Sequence, residues 1–350
     1  MDKYFAVIDA GRGEIAAVMA RWRKNGDCVF EAFARVKSDA FSKGMVSDIV
    51  EAAGSITEVL NKITEKTGKK AQDIYAAVTS SSIELISSSG VVLLSKYGRE
   101  VSETDIARCI NIASTVKIPL DKEPLHKIAK EFSIDNEKGV KDPLNLEGVK
   151  LGVDVNILTI NSSVLKNMSK CVAQAGFVPA GFMFSGLASS YRVLSDEDRN
   201  TVTAIFNIHK DLSEIMVFDQ GILSNCRVFS QGTDEVVSKS GIIDKETLEK
   251  LYSKIVKLSE WGSVRKIIIA GEGAAFDELI EFSEQFFNIP AFAGICRAKH
   301  FEELPPERTG YSSGLGALDY LLHENSKKPI YTGIIKKIFS KILKFIDKYF

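Results

Sequence analysis

At 350 residues the chain is longer than one hydrophobic core usually grows, so two or more compact units are expected. A composition 45% apolar and 26% charged excludes disorder, and a net charge of −1 gives no overall electrostatic footprint for nucleic acid. Five cysteines without a CxxC pair exclude a disulfide framework or zinc site and fit the reduced thiols of a cytosolic protein.

The runs Tyr4–Asp9 and Glu14–Trp22, joined by a Gly-containing turn, predict a hairpin, and "CVFEAFARV" a third strand. "VSDIVEAAGSITEVLNKITEKTG" has helical periodicity and stops at Gly68; "IYAAVTSS" then reads as a buried strand. Over 82–160 the texture changes to strands ("IELISSSGVVLL", "HKIAKEFSID", "VKLGVDVNILTI") around one helix, "SETDIARCINIAST". That helix opens with Ser102 as cap and Asp105 three residues on, a box-like arrangement. The serine-rich run 79–90 has no His or Asp at catalytic spacing and reads as a strand followed by a hairpin turn. "NSSVLKNMSKCVAQAG" resumes helical periodicity and stops at Gly176. The opening pattern then returns. "TVTAIFNIHKDLSEIMVFDQG" predicts strand, turn and strand, "ILSNCRVFSQG" a third strand, 244–260 a helix, "RKIIIAG" a strand and "AAFDELIEFSEQFF" a helix. Two such series predict an internally duplicated α/β fold with a small α+β module inserted in its first half.

The last stretch, "GIIKKIFSKILKFIDKYF" (333–350), is different. On a helical wheel Ile334, Ile335, Ile338, Phe339, Ile342, Leu343, Phe345, Ile346, Tyr349 and Phe350 share one half-circle. Lys336, Lys337, Ser340, Lys341, Lys344, Asp347 and Lys348 fill the other, five lysines against one aspartate. It is too short to span a bilayer, which takes about 20 apolar residues. Behind a polar linker at 326–332 it reads as a peripheral anchor for anionic membrane lipids; closing over the protein's own core, or pairing with a partner helix, is the blander alternative.

Twin hairpins whose turns face each other resemble the actin-like nucleotide-binding fold (actin, Hsp70 and sugar kinases). The run 131–159, "EFSIDNEKGVKDPLNLEGVKLGVDVNILT", resembles the inserted subdomain of the bacterial cell-division family FtsA. "SGLASSYRVL" (185–194) and "SSGLGALDYLL" (312–322) are similar to that family's two connecting helices, and a Lys-rich amphipathic end is also FtsA-like. The resemblance implies an actin-like protein on the inner face of the cytoplasmic membrane, polymerising with itself, tethering FtsZ filaments and recruiting later division proteins. It assigns 1–81, 161–198 and 309–325 to one actin-like subdomain, 82–160 to the insert and 199–231 with 264–308 to the second. A reduced fourth subdomain is left only 232–263, which weakens the inherited FtsZ contact. A PilM-like pilus component and an actin-superfamily ATPase or small-molecule kinase are the rival readings.

The resemblance also implies ATP and Mg²⁺ between the hairpin turns, and here the residues depart from the pattern. The first turn keeps Asp9, Gly11 and Gly13, with a bulky Arg12. In the second, Asn207 replaces the carboxylate, and His209, Lys210 and Asp211 replace three glycines that would let backbone N–H groups reach phosphates. Gly271 and Gly273 of "AGEGAAFDEL" fall at the adenosine-side motif, with Glu272 between them. Hydrolysis is expected to be absent. A closed pseudo-site follows, with Lys210 or Arg12 pairing with Asp9 or Asp211 in place of Mg²⁺; a plain polar hairpin turn is the alternative. The four histidines stand apart from one another and from ligand-spaced Cys or carboxylates, so no resident metal is expected.

Overall fold

The computed structural model describes residues 3–23, 28–238, 240–258, 261–296 and 312–326. The amphipathic helix expected over 333–350 lies outside them. The first part of the chain forms β1 (Lys3–Gly11), β2 (Gly13–Trp22), β3 (Cys28–Ser38), a small hairpin of β4 (Phe41–Ser42) and β5 (Met45–Val46), α1 (Ile49–Thr67) and β6 (Asp73–Val78). Next come β7 (Glu84–Leu93), β8 (Arg99–Glu100), α2 (Glu103–Ala113), β9 (Lys122–Ile134), β10 (Glu137–Val140), β11 (Glu147–Gly148) and β12 (Lys150–Asn161). Helix α3 (Ser162–Gln174), β13 (Pro179–Phe184) and α4 (Ser185–Val193) lead to β14 (Thr203–Ile208), β15 (Ser213–Asp219) and β16 (Ile222–Phe229). Helices α5 (Thr233–Val236) and α6 (Lys245–Ile255) precede β17 (Lys266–Gly271), α7 (Asp277–Phe287), β18 (Ala291–Ala293) and α8 (Ser312–Ser326).

These elements divide into two compact units, one built from Met1–Ile83 and Asn161–Leu322, the other around Glu84–Ile160. The larger unit holds two five-stranded sheets of the same plan, β13-β6-β1-β2-β3 and β16-β15-β14-β17-β18. In each, three antiparallel strands adjoin two parallel ones. The helices repeat as well: α3 and α7 each lead into the last strand of their sheet, and α4 and α8 follow it. This is the duplicated α/β architecture expected from the sequence.

Helix α1 starts where the Asp48 carboxylate accepts from Val50 N and Glu51 N, and ends at Gly68, whose φ of 67° suits a residue without Cβ. In β1, Phe5 to Ile8 are all fully buried, the mark of a strand covered on both faces. One cover is α8, whose Leu315, Leu318 and Leu321 join Phe5, Val7 and Val18 in a single cluster. Helices α4 and α8 cross at Gly316, where a Cβ would stand 2.0 Å from the Ala188 carbonyl oxygen.

The segment 232–263, read as a reduced fourth subdomain, holds the short helix α5 and the longer α6. It forms no separate body: Leu248, Leu251, Tyr252, Ile255 and Trp261 belong to the same core as Phe206, Ile215 and Ile267 of the second sheet. In chain order its helix α6 stands between β16 and β17, as α1 stands between β3 and β6 in the first half. It is also shorter than 244–260, because the chain turns after Ile255 and Leu258 packs back onto this core.

In the smaller unit, α2 covers one face of the sheet β10-β9-β12-β7. Its capping box forms as predicted, Ser102 N donating to Asp105 Oδ2 at 3.1 Å and Asp105 N to Ser102 Oγ at 3.3 Å. The serine run, expected to end in a turn, instead continues through β7, paired with β12 from Glu84 to Leu93. Cross-strand bonds hold it there: Ser87 Oγ donates to Asn156 at 2.8 Å and Ser89 Oγ to Asp154 at 2.5 Å. Gly90 belongs to packing rather than turning, since a Cβ would meet Ala113 N at 2.6 Å.

Candidate functional site

Within the larger unit, the turns of the β1–β2 and β14–β15 hairpins line a small cavity of about 50 Å³, space for a few waters. Asp9, Gly11, Arg12, His209, Lys210, Asp211, Gly271 and Glu272 line it, together with Thr79, Ser185 and Ser313. The sequence-predicted residues of the two turns thus do come together. The hairpin registers explain their roles: Asp9 pairs with Ala16 across the first, and Asn207 with Glu214 across the second. Each hairpin carries one carboxylate at this level, but in the second it has moved to the neighbouring strand.

Glu214 is fully buried and is the residue sequence reasoning missed. Asn207 Nδ2 donates to its Oε2 at 2.6 Å, and the Ser185 hydroxyl donates to its other oxygen. His209 stands between two carboxylates, Nε2 3.5 Å from Glu214 and Nδ1 3.4 Å from Glu272. Burial resists charging the imidazole, but the two carboxylates outweigh it and hold its pKa well above the ordinary value. Burial likewise pushes Glu214 and Glu272 up, and His209 more than reverses it, leaving both below the usual carboxylate range. Asp9 is different. Burial raises it to about 6, with His209 opposing and Glu214 adding to the rise, while the Ser313 hydroxyl donates to it.

The expected pairing of Lys210 or Arg12 with Asp9 or Asp211 is not what forms. Arg12 reaches out to Asp234 at 3.1 Å. Asp211 Oδ2 accepts instead from Lys43 N at 2.6 Å, because the turn folds against the β4–β5 hairpin. The cation at the centre is His209, and Lys210 adds positive potential at Glu272. Gly271 and Gly273 also serve the chain's own packing: Cβ atoms there would meet Ile208 O at 2.7 Å and Ile208 Cβ at 2.7 Å.

These residues do not fit ATP with Mg²⁺. In the second turn His209 N is spent on Leu212 O at 2.9 Å, so it is not a free phosphate donor. Four carboxylates, Asp9, Glu14, Asp211 and Glu272, line the space, which repels a polyphosphate. Asn207 Oδ1, fully buried, has no hydrogen-bond partner among the described residues, and a neutral amide is a poor substitute for a metal-organising carboxylate. Among the described residues no group of three or more His, Cys, Asp or Glu is placed to hold a metal ion.

Known proteins agree with this architecture. The chain is similar to the PilM-PilN type IV pilus biogenesis complex (TM-score 0.61, 14% identity, 90% of this chain and 98% of that one). It is also similar to the ethanolamine utilization protein EutJ from Carboxydothermus hydrogenoformans (TM-score 0.51, 11% identity, 90% and 88% covered). The fold is the actin-like ATPase fold. Residues 80–159 match the SHS2 domain inserted in FtsA. The cell division protein FtsA of Borreliella burgdorferi is 26% identical over 96% of this chain and 94% of its own length. The FtsA proteins of Pseudomonas aeruginosa and Escherichia coli are each 25% identical, over 77% and 66% of this chain. Of those two the chain spans 64% and 54% of the length. In its insert and along most of its length the chain is thus similar to FtsA proteins.

Proposed function

We propose that this chain is a membrane-associated scaffold of bacterial cell division that assembles with itself and holds division filaments to the inner face of the cytoplasmic membrane, without hydrolysing ATP. The observation that carries the reading is the inserted unit, whose residues 80–159 match the FtsA insert in a chain otherwise of actin-like fold. The cleft supports the absence of hydrolysis: His209, held between Glu214 of β15 and Glu272 after β17, occupies the second turn where phosphates would need free N–H groups. The sequence 333–350 supports membrane attachment, each lysine near an anionic leaflet contributing roughly 1 kcal/mol beside the buried apolar face. One such helix attaches reversibly; an assembled row of copies attaches through avidity. FtsZ is the filament partner the FtsA likeness suggests, and the packing of 232–263 into the second sheet's core means that such a contact uses a smaller surface.

The test is co-sedimentation with anionic liposomes, comparing the full chain with one ending at Ser326. Binding that needs the tail, fades in high salt and rises cooperatively with protein concentration supports the scaffold. Equal binding by both chains removes the tether.

A further inference from the structure

Asp211 joins two parts of the larger unit that are far apart in sequence. Its Oδ2 accepts from Lys43 N at 2.6 Å and from Ser42 Oγ at 3.4 Å, contacts that span 168 and 169 residues. The receiving element is the β4–β5 hairpin, whose two loop residues, Lys43 (φ 50°) and Gly44 (φ 74°), both lie in the left-handed region. That is the geometry of a tight two-residue hairpin loop, and it is unfavourable for a lysine unless something holds it. The hairpin is seated firmly: a Cβ on Gly44 would lie 2.4 Å from Thr79 O, beyond the end of β6. Asp211 is 3% exposed, so its charge depends on these donors rather than on water.

The other end of the tie is equally fixed. The carbonyls of His209 and Lys210 accept from Thr233 N and Asp234 N, both at 2.8 Å, and Asp234 in turn pairs with Arg12 of the first hairpin. Gly232 makes this possible, since a Cβ there would stand 2.4 Å from His209 O. A further tie runs from Ser185, which follows the last strand of the first sheet, to Glu214 in the second.

We propose that the second hairpin turn is a built-in strap: through Asp211 it pins the two halves of the actin-like unit together from within the chain, so that closure is a standing property and needs no ligand. This rests on the reading that the cleft takes no nucleotide. The strap uses the backbone N–H of Lys43, which no substitution of the Lys43 side chain removes, whereas loss of the Asp211 carboxylate takes away the acceptor that this N–H and the Ser42 hydroxyl share.

Hydrogen exchange on the full chain, read by mass spectrometry over 40–47 and, as internal control, over the α2 helix, tests it. Asp211→Ala is expected to speed exchange at Lys43 and Gly44 about tenfold or more, with α2 unchanged, and Asp211→Asn to fall between variant and parent. Should Asp211→Ala not fold, Asp211→Asn with Ser42→Ala reads the same tie in two smaller steps. Exchange over 40–47 that rises no more than that of α2 in these variants overturns the strap. Millimolar Mg·ATP added to the parent chain is expected to leave 40–47 unchanged. Slowing there overturns the nucleotide-free reading instead, which keeps the two failures distinct.

Discussion

Replacing Asp9 by Asn should stabilise the protein at neutral pH and do nothing near pH 4. In the folded protein burial holds the Asp9 carboxyl protonated up to about pH 6, against 3.8 for the free group. Two pKa units correspond to about 3 kcal/mol spent ionising it in place, and partial exposure of the side chain lowers that to about 2 kcal/mol. The groups facing it are His209, Glu214, Glu272 and Ser313, and the first of these already offsets part of the burial. Because the folded state binds the proton more tightly than the unfolded state, this contribution to stability falls as pH rises from about 4 through 6 and stays lower above. Asn carries no such charge. The variant should therefore melt roughly 4 °C higher than the parent at pH 8, with the gap closing by pH 4. Thermal unfolding of both proteins at pH 4, 6 and 8 is the assay. A gap independent of pH, or a variant that melts lower at pH 8, would refute the burial argument.

Three further outcomes follow from packing. Gly316→Ala should destabilise by about 1–3 kcal/mol in denaturant titration despite alanine's better helix propensity, because the added methyl meets a backbone carbonyl at the α4–α8 crossing that no side-chain movement relieves. Gly90→Val should disturb the smaller unit alone, raising amide exchange in α2 while leaving α1 unchanged, since the new side chain strikes the Ala113 backbone. Ser102→Ala removes one half of the capping box and should cost about 1 kcal/mol, read as faster exchange at the start of α2.

The repeated strand–turn–strand pattern made the duplicated fold legible, because strands buried on both faces write continuous apolar runs such as Phe5 to Ile8. Local end signals were legible too: Gly68 and Ser102 act on neighbours within a few residues. The cleft was legible only in part. Asp9, Arg12, Asn207 and His209 were found from their turns, but Glu214 needed the hairpin register that puts it opposite Asn207. That signal was present, since the two stand seven residues apart around a tight turn. The partners of Asp211 and Arg12 had no local signal at all; Lys43 and Asp234 are brought to them by tertiary packing. The serine run shows the same limit: its composition favours a turn, and pairing with β12 overrides it.

The most direct test of the account is cooperative assembly of the full chain on anionic vesicles, measured with no nucleotide and again with saturating Mg·ATP. A scaffold closed by its own Asp211 and His209 predicts the same concentration threshold in both. Assembly that appears only with Mg·ATP would contradict the account and return the cleft to a nucleotide.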